Sequence, residues 1–135
     1  MKSALANLLL LFLTVFTSCN DPVSLTDNLN QAKKWVNGKW NLTAVSAMVL
    51  NPVVPNVQLV VGNNQIIVIQ DGKQTDQVNF DIVKTAYTLQ LKTNAQPRAD
   101  NWYVRDPALQ ISKNRMLLDA GMAIDGPGFT FERVE

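Results

Sequence analysis

The sequence contains no histidine and only one cysteine, Cys19, in 135 residues. The absence of histidine removes the commonest general base, the commonest transition-metal ligand and any Ser-His-Asp triad. A single cysteine excludes an intramolecular disulfide. The aspartates do not follow the alternating spacing of a calcium loop, and no serine has an evident base. We therefore predict no catalytic residue, no metal site, no cofactor and no enzymatic activity.

The sequence also lacks an excess of charge of either sign. Its formal net charge is +1 at pH 7, and residues 19–135 carry 11 basic and 11 acidic side chains. No cluster of lysine and arginine forms a basic patch of the kind that binds phosphate backbones. We therefore expect no nucleic-acid partner. The length allows one domain and not comfortably two.

The longest apolar run, residues 8–16, is too short to span a membrane, which requires about 20 residues. It follows Lys2 near the start of the chain and precedes small polar residues, as in an export signal. Cys19 stands directly after those small residues, where a secretory signal would be cut. A buried cysteine in a helix, or a lone thiol in an ordinary signal peptide, are the alternative interpretations.

The stretch VFTSC, which ends at Cys19, resembles the lipobox of bacterial lipoproteins. The resemblance implies that Cys19 is acylated and begins the mature chain, so that it attaches the protein to a membrane. Residues 1–18 would then be a signal peptide and residues 19–23 a tether. The expected location is the bacterial cell envelope, anchored in the outer membrane on its periplasmic side or at the cell surface. Two or three acyl chains anchor a protein firmly, whereas one chain binds marginally.

The remainder, residues 24–135, is predicted to be an all-β domain. Ser24 or Thr26 is expected to cap a short helix that ends at Asn37-Gly38. From Gly38 onward the pattern predicts about eight strands, with turns at residues 62–64, 71–72, 113–114 and 125–126. Consecutive hairpins close most simply into an up-and-down antiparallel barrel. A β-sandwich of the same strands is the alternative.

Three residues in this domain carry a resemblance to a known family. Gly38 and Trp40 open the first strand, and Arg133 lies in the last strand in phase with Phe129 and Phe131. A charge on an apolar face needs a partner, and the Trp40 indole offers a face on which the guanidinium can stack. This Gly-x-Trp pattern with a terminal arginine resembles lipocalins and small lipocalin-like bacterial lipoproteins. The resemblance implies that Gly38, Trp40 and Arg133 close one end of the barrel.

The same resemblance implies a possible ligand cup, although it does not identify a ligand. Strand alternation places Phe80, Tyr87, Leu89 and Leu91 in the inward phase. Adjacent aromatic residues and an arginine at 102–105 suggest a recognition loop, or otherwise a structured connection with one core aromatic. The candidate ligand-binding residues are Phe80, Tyr87, Leu89, Trp102, Tyr103 and Arg105.

Two functions fit this sequence. The first is a membrane-anchored module whose barrel binds a small apolar or amphipathic ligand. The second is a structural or interaction lipoprotein with a filled barrel, which contributes a protein-binding surface to an envelope complex with an unspecified partner. An interior cavity would favour the first function. An interior filled by Met116, Leu118 and the phenylalanines would favour the second.

Overall fold

The computed structural model describes residues 24–98 and 101–134. Within these residues the chain forms one α-helix and eight strands, with two single-turn 3₁₀ helices at Trp102–Val104 and Met122–Ile124. The main elements are α1 (Leu29–Trp35), β1 (Gly38–Ser46), β2 (Val57–Gly62), β3 (Gln65–Gln70), β4 (Lys73–Lys84), β5 (Leu89–Thr93), β6 (Ala108–Ile111), β7 (Arg115–Asp119) and β8 (Gly128–Val134). None of the described helices has the length and apolar character needed to cross a bilayer.

The eight strands form a closed antiparallel barrel. Each strand pairs with the next along the chain, and β1 pairs with β8, so the sheet has no free edge. The prediction of an all-β, up-and-down barrel of eight strands with a short N-terminal helix is confirmed. The alternative β-sandwich is wrong, because all eight strands belong to one continuous sheet.

The barrel has two dissimilar ends. The closed end carries α1, the start of β1, and the turns at residues 63–64, 85–88 and 113–114. The loop end carries the β1–β2 loop (residues 47–56), the β3–β4 turn (71–72) and the connections that precede β6 and β8. The short turns therefore gather mainly at the closed end, and the longer connections gather at the loop end.

Helix α1 begins later than the sequence predicts. Its N-cap is Asn28, whose side-chain oxygen accepts a hydrogen bond from the Gln31 backbone N–H at 3.1 Å. The prediction of Ser24 or Thr26 as the cap is wrong, because Thr26 is engaged elsewhere: it forms a β-bridge with Ile111. The predicted helix end at Asn37-Gly38 is confirmed, since the strand starts at Gly38.

Tight turns follow the predicted turn chemistry. Asn63 and Asn64 both adopt positive φ angles, 52° and 58°, in the two-residue β2–β3 turn. Asp71 and Gly72 do the same in the β3–β4 turn. Positive φ at both central positions gives a turn whose twist matches that of the flanking strands. These turns fix the register of the hairpins, so the buried side chains of β2 and β3 face the same side.

The barrel interior is filled by apolar side chains. Trp40, Leu59, Ile82, Met116 and Phe131, from five different strands, belong to one core cluster in which no member exposes more than 8% of its surface. Both ends of the barrel are covered as well. Ala32 of α1 and Val36, the residue after α1, join the core at the closed end, and Tyr103 and Val104 join it at the loop end.

Candidate functional site

Gly38, Trp40 and Arg133 come together at the closed end. Trp40 and Arg133 are directly paired across β1 and β8, and the Arg133 guanidinium carbon lies 4.2 Å from the centroid of the Trp40 ring. Trp40 is fully buried, and its Nε1–H donates a hydrogen bond of 2.8 Å to the Val36 carbonyl at the end of α1. The pair therefore joins the two terminal strands of the barrel to its helix.

The Arg133 guanidinium donates hydrogen bonds to three backbone carbonyls. Its Nε bonds to Lys113 at 2.6 Å, its Nη1 bonds to Asn37 at 2.8 Å, and its Nη2 bonds to Trp35. Partial burial lowers the pKa of Arg133 from its ordinary value, because the charged form is less well solvated. Three fixed acceptors and an aromatic face suit the planar, five-donor fork of arginine better than the point charge of lysine.

Gly38 is required at its position by this arrangement. Its φ of 139° lies in a region that residues with a Cβ rarely adopt. A Cβ at Gly38 would also collide with the Arg133 guanidinium. Together these contacts fasten the closed end of the barrel.

Of the residues expected to line a ligand cup, Leu89 and Leu91 lie in the interior and Phe80 packs against the core. The prediction that Tyr87 points inward is wrong, because its side chain is 98% exposed. Strand β5 begins only at Leu89. Thr85 closes the preceding turn through its backbone N–H and its hydroxyl, which both donate to the Thr88 carbonyl. Strand alternation therefore does not extend back to Tyr87.

Trp102 and Tyr103 lie in a 3₁₀ turn within the connection that precedes β6. Tyr103 is buried in the core, whereas Trp102 is half-buried and stacks on Phe129 of β8 with an angle of 20° between the rings. The Val104 carbonyl accepts a hydrogen bond from the Thr93 hydroxyl of β5. The turn therefore crosses the loop end of the barrel from β5 to β8.

Asn101 anchors this crossing, although no sequence pattern predicts a role for it. It is fully buried, its Nδ2 donates to the Gln96 carbonyl at 2.7 Å, and its Oδ1 accepts from the Arg98 backbone N–H at 3.0 Å. Arg98 in turn bonds to Asp76 on β4 at 2.9 Å. An asparagine in an irregular connection has no periodicity, so no sequence pattern distinguishes this buried amide from an exposed one.

A surface cleft of about 540 Å³ lies beside this crossing, at the rim of the loop end. It is lined by Gln90, Trp102, Arg105, Asp106, Ala108, Asp119, Ala120, Gly121, Ala123 and Pro127. Asp106 bonds to Lys92 and to the Thr93 N–H, and Asp119 accepts from two backbone N–H groups. Arg105 is exposed, and its guanidinium makes no hydrogen bond or ion pair with the described residues.

The β1–β2 loop presents a second unpredicted feature. Large apolar side chains are exposed in this loop and in the neighbouring β7–β8 connection. They form what we call the apolar loop face: Met48, Val49, Leu50, Val53, Val54, Met122 and Ile124. The signal available in the sequence is the absence of any charged residue from positions 46–56.

The predicted N-terminal features are not among the residues that the structure describes. Cys19 and the predicted signal peptide and tether, residues 1–23, lie outside the described residues. Within residues 24–98 and 101–134, no cluster of three or more Asp, Glu, Cys or His side chains is placed to hold a metal ion. No protein-family model, curated protein or solved structure matches this chain.

Proposed function

We propose that the protein is a membrane-anchored lipoprotein of the bacterial envelope that acts as an interaction protein, with a filled lipocalin-like barrel as its scaffold. The observation that carries this proposal is the packing of the barrel, whose core side chains expose at most 8% of their surface. A carrier of small apolar molecules needs an internal cavity of at least about 300 Å³. The low exposure of these side chains supports a filled interior, so we place the contacts with other molecules at the outer surface.

The anchoring part of the proposal rests on Cys19 and its surroundings. A short apolar run, small residues and the only cysteine of the chain follow one another in the order of a lipobox. A short tether then leads to Thr26, which pairs with Ile111 near the closed end. Acylation would use the thiol and explain why the chain keeps one cysteine.

The proposed interaction role places the contacts at the loop end. The closed end is occupied by α1 and by the hydrogen bonds of Arg133. The loop end presents the cleft lined by Trp102 and Arg105, and it presents the apolar loop face. Exposed apolar clusters on a soluble domain commonly mark surfaces that bind another molecule.

A second candidate function is the binding of a small ligand in the rim cleft. Its volume of about 540 Å³ falls within the usual range for ligand pockets. Trp102 offers a half-buried aromatic ring, and Arg105 offers a cation that the described residues leave unengaged. These groups would suit a small ligand that combines an apolar body with an anionic group.

Acylation is tested by growing bacterial cells that express the full chain with an alkyne-labelled fatty acid. We expect label on the wild-type protein and on Ser18→Ala, a matched control at the adjacent position. We expect none on Cys19→Ser. Label that persists on Cys19→Ser would overturn the anchoring role of this residue.

The interaction role is tested by native mass spectrometry of the protein extracted from its own envelope. A reproducible protein complex without a bound small molecule is the expected result. A small apolar molecule that co-purifies and is retained by the Arg105→Ala variant would instead indicate a carrier whose site lies away from the cleft. A molecule lost from that variant would favour the rim cleft as the functional site.

A further inference from the structure

The apolar loop face is the most exposed apolar region of the described chain. Leu50 is 96% exposed, Val53 is 87% exposed and Ile124 is 84% exposed. Burying a single leucine- or valine-sized side chain is worth about 1.5–3 kcal/mol, so several together offer a substantial driving force for association. Isolated exposed apolar residues are ordinary, whereas a group on neighbouring loops is not.

The fold brings the two parts of this face together. Ser46, the last residue of β1, pairs with Gly128, the first residue of β8. The β1–β2 loop and the β7–β8 connection therefore leave the barrel side by side. Met122 packs close to Gly128, where a Cβ would strike its sulfur, so the second connection is held against the strand ends.

The face is also almost free of charge. Residues 46–56 contain no charged side chain, and the β7–β8 connection contains only Asp125. Solvent-facing loops of a monomeric domain usually carry charges, which keep it soluble and monomeric. A surface that is apolar and uncharged is complementary to another apolar, uncharged surface, and charge would reduce that fit.

We propose that the apolar loop face docks onto an apolar, uncharged surface of a second protein of the envelope. This inference rests on the proposed anchoring at Cys19, because the anchor decides which way the face points. The chain enters the barrel at the closed end, through the bridge between Thr26 and Ile111. The apolar loop face lies at the opposite end.

The length of the tether argues against the anchoring bilayer as the occupant. Five tether residues, 19–23, extend at most about 17 Å. The seven residues of β8 alone span about 23 Å along the strand. The loop face would reach the bilayer only if the tether lay stretched along the barrel wall. A relaxed tether instead points the face away from the membrane.

The same geometry argues against a second copy of this chain. Two copies anchored in one membrane have their loop ends pointing in the same direction. A symmetric pair that shares this face requires the two loop ends to oppose each other. A different protein, presented from the far side of the envelope space, meets neither obstacle.

The test is site-specific photo-crosslinking in living cells with the full chain. A photoreactive amino acid replaces Leu50 in one variant and Lys73 in the control. Lys73 is exposed at the same end of the barrel, in the polar β3–β4 hairpin. We expect one dominant adduct with a second protein from position 50 and none from position 73. We also expect mass spectrometry to place the crosslink on an uncharged, apolar segment of the partner.

A second substitution confirms that the apolar character of the face is responsible. Val53→Asp, introduced together with the photoreactive residue at 50, is expected to reduce the adduct about tenfold or more, as for a residue at the centre of an interface. Because Val53 is exposed, the melting temperature of this variant should match that of the parent protein. Val53→Ser, with the same photoreactive residue at 50, provides an independent repeat without a charge.

Several results would overturn the inference. They are an adduct with phospholipid, an adduct of two copies, equal adducts from positions 50 and 73, or no adduct. Fatty-acid labelling of Cys19 in the same cells separates this inference from the proposed function. A labelled protein without an adduct refutes the docking face alone. An unlabelled protein refutes the anchoring, whether or not position 50 forms an adduct.

Discussion

The guanidinium of Arg133 lies over the ring of Trp40, 4.2 Å from its centroid, and the two residues are directly opposite each other across β1 and β8. This contact joins the first strand of the barrel to the last. The three carbonyls bound by the same guanidinium belong to α1, to the residue before β1 and to the β6–β7 turn. One side chain therefore ties α1, the start of β1 and the β6–β7 turn to β8.

Replacing Arg133 by alanine should destabilise the barrel by about 2–4 kcal/mol, because three carbonyl acceptors and the Trp40 face lose their partner together. Arg133→Lys should recover only part of this loss, since an ammonium cannot reproduce the planar fork. Urea unfolding followed by tryptophan fluorescence measures both changes. Arg115→Ala, an exposed arginine at the same end, is the control and should change stability by less than about 0.5 kcal/mol. Equal stability of Arg133→Ala and wild type would contradict this role.

Gly38→Ala should destabilise the protein by about 2 kcal/mol or more, because the new Cβ is strained at this φ and displaces Arg133. In an Arg133→Ala background the collision is absent, so the penalty should fall to about 1 kcal/mol from the backbone alone. A double-mutant cycle measured by chemical denaturation gives the coupling. Gly62→Ala is the matched control, since a Cβ there meets nothing within 4 Å. Additive effects of the two substitutions would show that Gly38 and Arg133 are independent.

The ion pair between Lys33 and Asp81 should make a small, pH-dependent contribution to stability. The Lys33 ammonium lies 2.7 Å from the Asp81 carboxylate and holds the pKa of that carboxyl below its usual value. A lowered folded-state pKa means that the stabilisation is present above the unfolded pKa of about 3.9 and is lost as pH falls through the folded value.

Asp81→Asn should therefore be less stable than wild type by about 0.5 kcal/mol at pH 7, the scale of an exposed pair. The difference should vanish below the folded pKa of Asp81. Urea titrations of the two proteins between pH 2 and 7 measure the difference in their free energies of unfolding at each pH. A difference that is constant with pH would indicate that the asparagine acts through something other than lost charge.

Asn101→Ala should loosen the crossing at the loop end and cost about 2 kcal/mol, since the Gln96 carbonyl and the Arg98 N–H lose a buried partner. Limited proteolysis should cut this connection faster in the variant, and thermal unfolding should show the loss of stability. Gln96→Ala removes an exposed side chain from the same connection and should leave both measurements unchanged. Equal cleavage rates in the two variants would show that Asn101 does not hold the crossing.

The sequence predicts the closed end well, because its determinants are local and periodic. Arg133 alternates with Phe131 and Phe129 in a strand, so its inward direction follows from spacing two residues apart. The turn at 63–64 is equally local, and so is the turn at 71–72 of the loop end, since their positive φ angles suit asparagine, aspartate and glycine.

The loop end is less predictable from the sequence, for a physical reason. Tyr87 lies in the turn that precedes β5, although the sequence pattern assigns it to that strand. The alternation of apolar and polar residues does not reveal where a strand starts. Trp102, Tyr103 and Asn101 lie in an irregular connection, where burial depends on which part of the barrel the chain crosses. Contacts such as the stacking of Trp102 on Phe129 depend on the closed topology, which no local pattern encodes.

The pairing of β1 with β8 has a consequence for how the chain folds. Asn37 and Arg133 are hydrogen-bonded although they are 96 positions apart, so the closed end cannot form until both terminal strands are present. Topologies dominated by such distant pairings fold slowly, because much of the chain must be ordered before these contacts form. During synthesis the first seven strands would form an open sheet. Its two edge strands, β1 and β7, would remain unpaired until β8 is made. The nascent chain therefore has a period of vulnerability to aggregation that ends only when Arg133 reaches Trp40.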